Sequence, residues 1–177
     1  WSLSQFIVVN RNKGEAPGHM VWSNLLYRQA FGRYGDLLRA VSLNPHMAHF
    51  LDNDQNRPKS AECTFCAPNE NFARELLQLF SIGTCQLQAN GKLVGGSCKP
   101  TYNNEMVRNY AYALTGWTYP KGGKTAYGCW PAGANCEYLG GDMVPAPAFR
   151  DEGRRRLLSD VVVPAGTESR KALDLVL

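Results

Sequence analysis

Two carboxylates, an amide and a guanidinium lie together in one stretch of the chain, residues 68–83. Glu70 and Arg74 are four residues apart, as are Asn71 and Glu75, so each pair shares a face if the stretch is helical. Glu70 and Glu75 are five apart, about 140° around a helix axis, so the two acids can face different neighbours. Carboxylates in such a setting can act as general acid and base in hydrolysis. They can also bind a cation such as calcium through oxygen atoms.

A polar segment earlier in the chain, residues 52–56, is expected to approach this helix. An open cleft with two carboxylates roughly 5–9 Å apart would favour catalysis. Acids fully paired with arginine or backbone N–H groups would instead form a polar network that holds helices in register. The predicted catalytic residues are Glu70 and Glu75. The predicted binding or structural network comprises Asn71, Arg74, Asp52, Asn53 and Trp117. The sequence identifies no cofactor; a calcium ion is compatible with these ligands but not required.

The three histidines are His19, His46 and His49. His46 and His49 are three apart in a short predicted helix, which could present both to a metal ion. Two such ligands without a clear third are more often ordinary surface or core histidines. No metal site is therefore predicted.

The acids are carried by the clearest helix in the chain, predicted over residues 69–82. Pro68 suits a first turn, Asn69 can accept the first free N–H groups, and Gly83 can adopt the left-handed conformation that ends a helix. An apolar stripe at helical spacing consists of Phe72, Leu76, Leu79 and Phe80.

Further helices are predicted around this central one. They cover residues 19–32, a segment from Asp36, a short segment that Asn44 caps and Pro45 begins, residues 104–116 after the cap Asn103, residues 150–160, and a last segment after Thr167. Residues 1–10 are also interpreted as helical. A β-hairpin insertion is expected at 84–102, with Asn90-Gly91 as its turn. The predicted fold class is mainly α, an irregular multi-helix domain around a central helix, with this hairpin and long disulfide-stapled loops.

Six cysteines lie in the loop-like segments of the chain. An even number of cysteines in loops favours disulfides and an oxidising compartment, whereas the single Cys-x-x-Cys gives weak support for zinc. Six cysteines allow fifteen pairings. Pairing between sequence neighbours predicts Cys63–Cys66, Cys85–Cys98 and Cys129–Cys136.

Composition is that of one globular domain: 177 residues, 44% hydrophobic and 19% charged, with a net charge of +4. The basic residues cluster late, but without the aromatic interleaving or a motif of nucleic-acid readers, so no nucleic-acid partner is predicted. No apolar run approaches the roughly 20 residues of a membrane helix. The chain opens at Trp1 and closes within a helical pattern, so we expect a single helical domain over 1–177 that is a fragment of a longer chain. Its first partner is then the remainder of its own polypeptide.

Six segments of the chain together carry a likeness to a known family: 3–6, 30–38, 44–48, 68–75, 78–83 and 113–117. The most specific of them are Glu70-Asn-Phe-Ala-Arg-Glu75 and Thr115-Gly-Trp117. In their order and spacing they resemble the large bacterial family catalogued as domain of unknown function 1800. The resemblance implies a mostly helical, exported (periplasmic or extracellular) bacterial protein, often encoded beside a phosphatase-like partner, and it implies no settled reaction. Where the family commonly has His-Asp, this chain has Arg150-Asp151.

Two functional hypotheses follow. In the first, the chain is an exported module that acts on an extracellular polymer through the carboxylate-centred polar site. In the second, it is a non-enzymatic scaffold or adhesion component, and the Glu/Asn/Arg motif is a structural network. Docking would then use the long irregular segment 118–148, where Tyr127 and Trp130 are candidates to contact a glycan or the phosphatase-like partner.

Overall fold

A computed structural model of the chain describes residues 1–10, 16–120 and 139–177. Within these ranges there are six α-helices, two small antiparallel strand pairs and four short 3-10 turns, in agreement with the predicted mainly α class. The helices are α1 (Ala16–Gln29), α2 (Tyr34–Leu43), α3 (Pro45–Phe50), α4 (Asn71–Gln78), α5 (Asn104–Ala113) and α6 (Ser169–Val176). The strands are β1 (Trp117–Thr118), paired with β2 (Val144–Pro145), and β3 (Arg155–Arg156), paired with β4 (Val162–Val163).

The helices form two groups around one continuous hydrophobic cluster. Helices α1, α2 and α3 contact one another, while α4 packs on α5, which also contacts α6 and β3. On α4 the apolar side chains of Phe72, Ala73, Leu76 and Leu77 are at most 3% exposed. Burying a large apolar side chain contributes roughly 1.5–3 kcal/mol, so this face holds α4 firmly against its neighbours.

Helix α4 is shorter than predicted at both ends. The side chain of Asn69 accepts the N–H of Asn71 at 2.8 Å, so the helix begins after Glu70 and not at residue 69. At the other end, the N–H groups of Leu79 and Phe80 both reach the carbonyl of Glu75. The bond from Phe80 spans five residues, so the backbone widens at this end and the helix stops at Gln78. Leu79 is 50% exposed, so its assignment to the apolar stripe was wrong. Phe80 remains buried, and Gly83 adopts the predicted left-handed conformation.

Two predicted helix starts are confirmed by their capping bonds. The side chain of Asn44 accepts the N–H of Met47 at 3.0 Å, and Pro45 is the first helical residue of α3. The side chain of Asn103 accepts the N–H of Met106 at 2.8 Å at the start of α5. Each bond satisfies one of the N–H groups that a helix start leaves free.

The helix predicted over 150–160 is absent. Instead, β3 and β4 form a hairpin whose turn contains Ser159 and Asp160, with φ of 54° and 60°. No right-handed helix accommodates two consecutive left-handed residues. Thr167 does not cap α6, because its hydroxyl donates to the carbonyl of Pro164 and Glu168 precedes the helix. Residues 1–10 contain one 3-10 turn, Leu3–Gln5, and not a longer helix.

The insertion at 84–102 has the predicted hairpin character. Isolated bridges join Cys85 to Pro100 and Leu87 to Leu93, and the N–H of Gln88 donates to the carbonyl of Lys92. The predicted disulfides Cys63–Cys66 and Cys85–Cys98 are both present. The third predicted pair, Cys129–Cys136, lies outside the described residues, as do Tyr127 and Trp130.

Candidate functional site

The loop between α3 and α4 is fastened to its surroundings by amide groups. The Asn56 side chain pairs with the backbone of Asn69, donating to its carbonyl at 3.0 Å and accepting its N–H at 2.7 Å. Its own carbonyl accepts the N–H of Gly116, and the N–H of Gln55 donates to the carbonyl of Trp117. These bonds fix loop 51–57 against the start of α4 and against β1.

Asn53, a predicted network residue, supports this loop from inside. It is 2% exposed, its N–H donates to the carbonyl of Ala48 at 2.8 Å, and its side-chain oxygen accepts from Asn56. Trp117 is also 2% exposed and belongs to the hydrophobic cluster, so its ring has no face open to a ligand from solvent.

Loop 51–57 brings Asp52 to α4, as the sequence predicts. The amide of Asn71 donates to Oδ2 of Asp52 at 2.9 Å. Because Asn71 and Glu75 are one helical turn apart, Asp52 and Glu75 belong to the same side of α4. The Oε2 atom of Glu75 is inaccessible to solvent and has no hydrogen-bond partner among the described residues. A buried oxygen in that state costs roughly 1–3 kcal/mol and can accept a proton or a hydrogen bond from a bound molecule.

Glu70 is engaged differently. Its carboxylate accepts a hydrogen bond from Arg74 at 2.9 Å, in a pair spaced four residues apart. Both side chains are about one-third exposed, so solvent screens the pair and its contribution to stability is about 0–1 kcal/mol. The structure therefore places the two predicted catalytic acids in different environments, one paired with a cation and one partly buried.

A second cluster lies beside the first and joins residues from α3, the loop and the segment after β1. The hydroxyl of Tyr119 is 2.8 Å from Oδ2 of Asp54 and 3.2 Å from Nδ1 of His49. Tyr119 is 3% exposed, whereas His49 is exposed. The three groups form a chain that leads from solvent to a partly buried carboxyl group.

This chain can carry a proton in either direction. If Tyr119 donates to Asp54, protonated Nδ1 of His49 donates to the Tyr119 oxygen. If Asp54 is protonated, it donates to Tyr119, and Tyr119 donates to His49. Burial raises the pKa of Asp54 above its ordinary value, and the Tyr119 hydrogen bond and the charge of His49 oppose that shift only in part. Burial, together with the charge and hydrogen bond of Asp54, raises the pKa of Tyr119, so the phenol stays neutral.

The sequence interpretation did not identify this cluster. In the sequence, Asp54 is only one residue of the polar segment 52–56, and His49 stands out only by its spacing from His46. The two histidines in fact diverge: His46 is fully buried, and its Nε2 lies 3.3 Å from Nδ1 of His19. Among the described residues, no three His, Cys, Asp or Glu side chains are grouped so as to hold a metal ion.

Arg150 and Asp151, where the resemblance leads one to expect His-Asp, hold the fold together. The guanidinium of Arg150 donates to the carbonyls of Ala113 and Thr115 at 2.7 and 3.1 Å, and to that of Thr167 at 2.9 Å. It thus closes the C-terminal end of α5, where carbonyl groups lack helical partners. Asp151 is 6% exposed and accepts two hydrogen bonds from Arg155, at 2.7 and 2.8 Å.

The Thr-Gly-Trp segment has a structural explanation as well. Thr115 accepts the N–H of Asp151 through its hydroxyl at 2.9 Å. Gly116 has φ of 86°, and a Cβ there would lie 2.7 Å from Oγ of Ser169 and 2.9 Å from Cβ of Arg150. Glycine is therefore required by backbone conformation and by space.

Among the described helices, none has the length and apolarity needed to span a lipid bilayer. The two disulfides are compatible with an exported protein.

Fold and site together define a mainly α-helical, disulfide-containing domain in which polar residues gather between one short helix and the loop before it. The chain belongs to the family described as Protein of unknown function (DUF1800), whose model matches residues 1–177. The resemblance noted in the sequence is thereby confirmed. No curated protein and no solved structure is significantly similar to the chain. Any reaction must accordingly be argued from the site itself.

Proposed function

We propose that the chain is part of an exported bacterial module that cleaves an extracellular glycan by general acid–base catalysis, at the polar cluster between loop 51–57 and α4. One observation carries the proposal. The pKa of Asp54 is raised, and its carboxyl group is joined through the Tyr119 hydroxyl to the exposed His49. A second carboxylate, that of Asp52, lies two residues before Asp54 in the chain. Carboxyl groups held in contrasting environments are what acid and base roles require.

Asp54 is the proposed general acid. A carboxyl group whose pKa is raised by burial retains its proton closer to neutral pH and can deliver it to a leaving-group oxygen. Tyr119 orients the carboxyl group, and His49 exchanges protons with solvent. Together they would return a proton to Asp54 after each turnover.

The two candidates for the general base are Glu75 on α4 and Asp52 in the loop that contacts it. Glu75 has an oxygen with no partner among the described residues, and Asp52 is held by Asn71 one helical turn away. Asp52 can accept a proton directly from an attacking water, whereas Oε2 of Glu75, which solvent does not reach in the free chain, can do so only from a water bound together with the glycan. Glu70 is given no chemical step in this scheme, because its carboxylate is paired with Arg74.

The test uses dye-labelled soluble glycans of several linkage types and measures the release of new reducing ends. Asp54→Asn, Asp52→Asn and Glu75→Gln should each lower turnover about 10²–10⁴-fold, the usual contribution of a general acid or base. Asp174→Asn is the matched control, because Asp174 is exposed and pairs with Arg39 on α2. Circular dichroism of each variant separates lost chemistry from lost fold. Cleavage that continues unchanged in all three variants, or no cleavage of any glycan, would refute the proposal.

A second candidate function is a non-enzymatic scaffold or adhesion component. It is favoured by the internal pairing of the motif side chains, Glu70 with Arg74 and Asn71 with Asp52. Docking would use segment 118–148 on a glycan or an exported phosphatase-like protein. Affinity capture with the intact chain, compared with a chain in which residues 121–138 are replaced by a Gly/Ser linker, tests it. If Glu75→Gln unfolds the chain and no glycan is cleaved, the scaffold is the better account.

A further inference from the structure

The two described disulfides differ in what they can contribute to stability. Cys85 and Cys98 are 13 residues apart and bracket the hairpin insertion, whereas Cys63 and Cys66 are only three apart. A disulfide stabilises chiefly by restricting the unfolded chain, and that effect grows with the length of the loop it closes. The short disulfide is therefore the weaker structural clamp.

The short disulfide is also presented to solvent on one side. Cys63 is 2% exposed, and Cys66 is partly exposed. The residues between them, Thr64 and Phe65, are exposed, and the Phe65 side chain is 90% exposed. Cys66 is consequently the cysteine of the pair that is the more open to an incoming sulfur atom.

The turn that carries the two sulfurs is held by hydrogen bonds of its own. The N–H of Cys66 donates to the carbonyl of Cys63 at 3.3 Å, and the N–H of Cys63 donates to the carbonyl of Ser60 at 3.2 Å. The Ser60 hydroxyl also accepts from the Cys63 N–H. These bonds do not involve sulfur, so they can keep the cysteines adjacent when the disulfide is open. A dithiol held in this way can close again without rebuilding the loop.

We infer that Cys63–Cys66 is a thiol–disulfide exchange site that oxidises a cysteine pair in an exported protein or peptide. A thiolate of the partner attacks Sγ of Cys66, which forms a mixed disulfide and releases Cys63 as a thiolate that takes up a proton. The partner's second thiol, once deprotonated, attacks its own sulfur in the mixed disulfide and expels the Cys66 thiolate. The partner loses two electrons and two protons, and the Cys63–Cys66 pair gains them.

Phe65 gives the site a means of recognition. An aromatic ring exposed between two cysteines offers an apolar contact to a peptide chain that lies across the turn. The partner is therefore a polypeptide dithiol with an apolar residue beside its cysteine. This inference is independent of glycan cleavage, since none of its residues belongs to the polar cluster.

The test measures oxidation of a fluorescent peptide dithiol with glutathione disulfide as terminal oxidant. The wild-type chain should accelerate the reaction at least tenfold. The Cys63→Ser/Cys66→Ser double variant keeps the other four cysteines and should show only the background rate. Asp54→Asn should exchange at the wild-type rate, which separates this inference from the proposed hydrolysis. An equal rate in the double variant, or no acceleration by the wild-type chain, would overturn it.

A trapping experiment tests the order of attack. Cys63→Ser leaves the accessible Cys66 thiol and should accumulate a mixed disulfide with the peptide's oxidised form, identified by mass spectrometry at residue 66. Cys66→Ser leaves only the buried thiol and should trap at least tenfold less. Equal trapping by both variants would contradict an exchange site that opens at Cys66.

Discussion

The hydroxyl of Tyr119 lies 2.8 Å from Oδ2 of Asp54, across 65 residues of sequence. Tyr119 is almost fully buried, so this contact joins the segment after β1 to loop 51–57 at a depth that solvent scarcely reaches. Because the same hydroxyl also contacts His49, a substitution at Tyr119 should affect both Asp54 and His49.

Tyr119→Phe removes the hydroxyl and leaves the ring in place. The hydrogen bond from Tyr119 lowers the pKa of Asp54 against the effect of burial, so its loss should raise that pKa further. The free energy of unfolding should fall by about 1–2 kcal/mol, since a partly buried carboxyl group loses its partner. Carbon-detected NMR titration of Asp54 and urea denaturation measure the two effects. Tyr27→Phe, at an 83% exposed position on α1, should change neither. An unchanged pKa in Tyr119→Phe would contradict the assigned contact.

His46 should make the fold sensitive to acid. Burial, with the charges of His19 and His49, lowers the pKa of His46 from 6.5 to about 4. Between those two values the unfolded chain binds a proton that the folded chain does not, so stability falls as pH falls and is unaffected by His46 above 6.5. The expected loss is at most about 1.4 kcal/mol for each pH unit within that window.

Urea denaturation from pH 7.5 to 4.5 measures this slope. His46→Gln replaces the ring with a side chain that does not titrate and should flatten it. The variant changes His46 alone. Gly18 must remain glycine, because a Cβ added there would lie 2.5 Å from the position of Nδ1 of His46. A slope equally steep in His46→Gln would assign the acid sensitivity to another group.

The sequence predicts correctly those helix starts that are fixed by residues close together in the chain. Asn44 and Asn103 cap their helices because the accepting oxygen and the free N–H are three residues apart, a distance that sequence spacing specifies. The 150–160 segment was predicted wrongly because its conformation depends on a partner outside it. There, Arg155 and Arg156 pair with the strand at Val162–Val163, and the left-handed turn between them follows from that pairing.

The contacts of the candidate site are likewise of two kinds: those that the local sequence predicts and those that depend on a distant segment. Asp52 was expected beside α4 because a polar segment precedes a polar helix, and its contact with Asn71 has that origin. The meeting of His49, Asp54 and Tyr119 depends on how β1 crosses loop 51–57, where the Gln55 N–H donates to the Trp117 carbonyl. Periodicity within one segment carries no information on such a crossing.

Arg150→His tests whether the arginine is structural. Imidazole is too short to reach the carbonyls of Ala113 and Thr167 together, so at least one partly buried carbonyl group would lose its donor. The free energy of unfolding should fall by about 2–4 kcal/mol, since the lost hydrogen bonds involve a charged donor. Arg154→His, at an exposed position four residues on, should change it by less than about 0.5 kcal/mol. Equal stability of the two variants would show that Arg150 does not close the end of α5.

Gly116→Ala separates the two reasons for glycine between Thr115 and Trp117. At φ of 86° an alanine is strained by its backbone, and its Cβ would also lie within 3.0 Å of Ser169 and Arg150. Gly83 supplies the control, because its φ is 71° and a Cβ there would meet nothing within 4 Å. Gly83→Ala should therefore lower the free energy of unfolding by about 1–2 kcal/mol, the cost of the left-handed conformation alone. Gly116→Ala should lower it by a further 1–3 kcal/mol or so, the usual cost of forcing extra atoms into a packed site. Urea denaturation of both variants measures the difference directly. Equal losses would mean that Ser169 and Arg150 can move away from the added Cβ without cost. We do not expect this, because Ser169 is hydrogen-bonded to Gly116 and Arg150 to the end of α5.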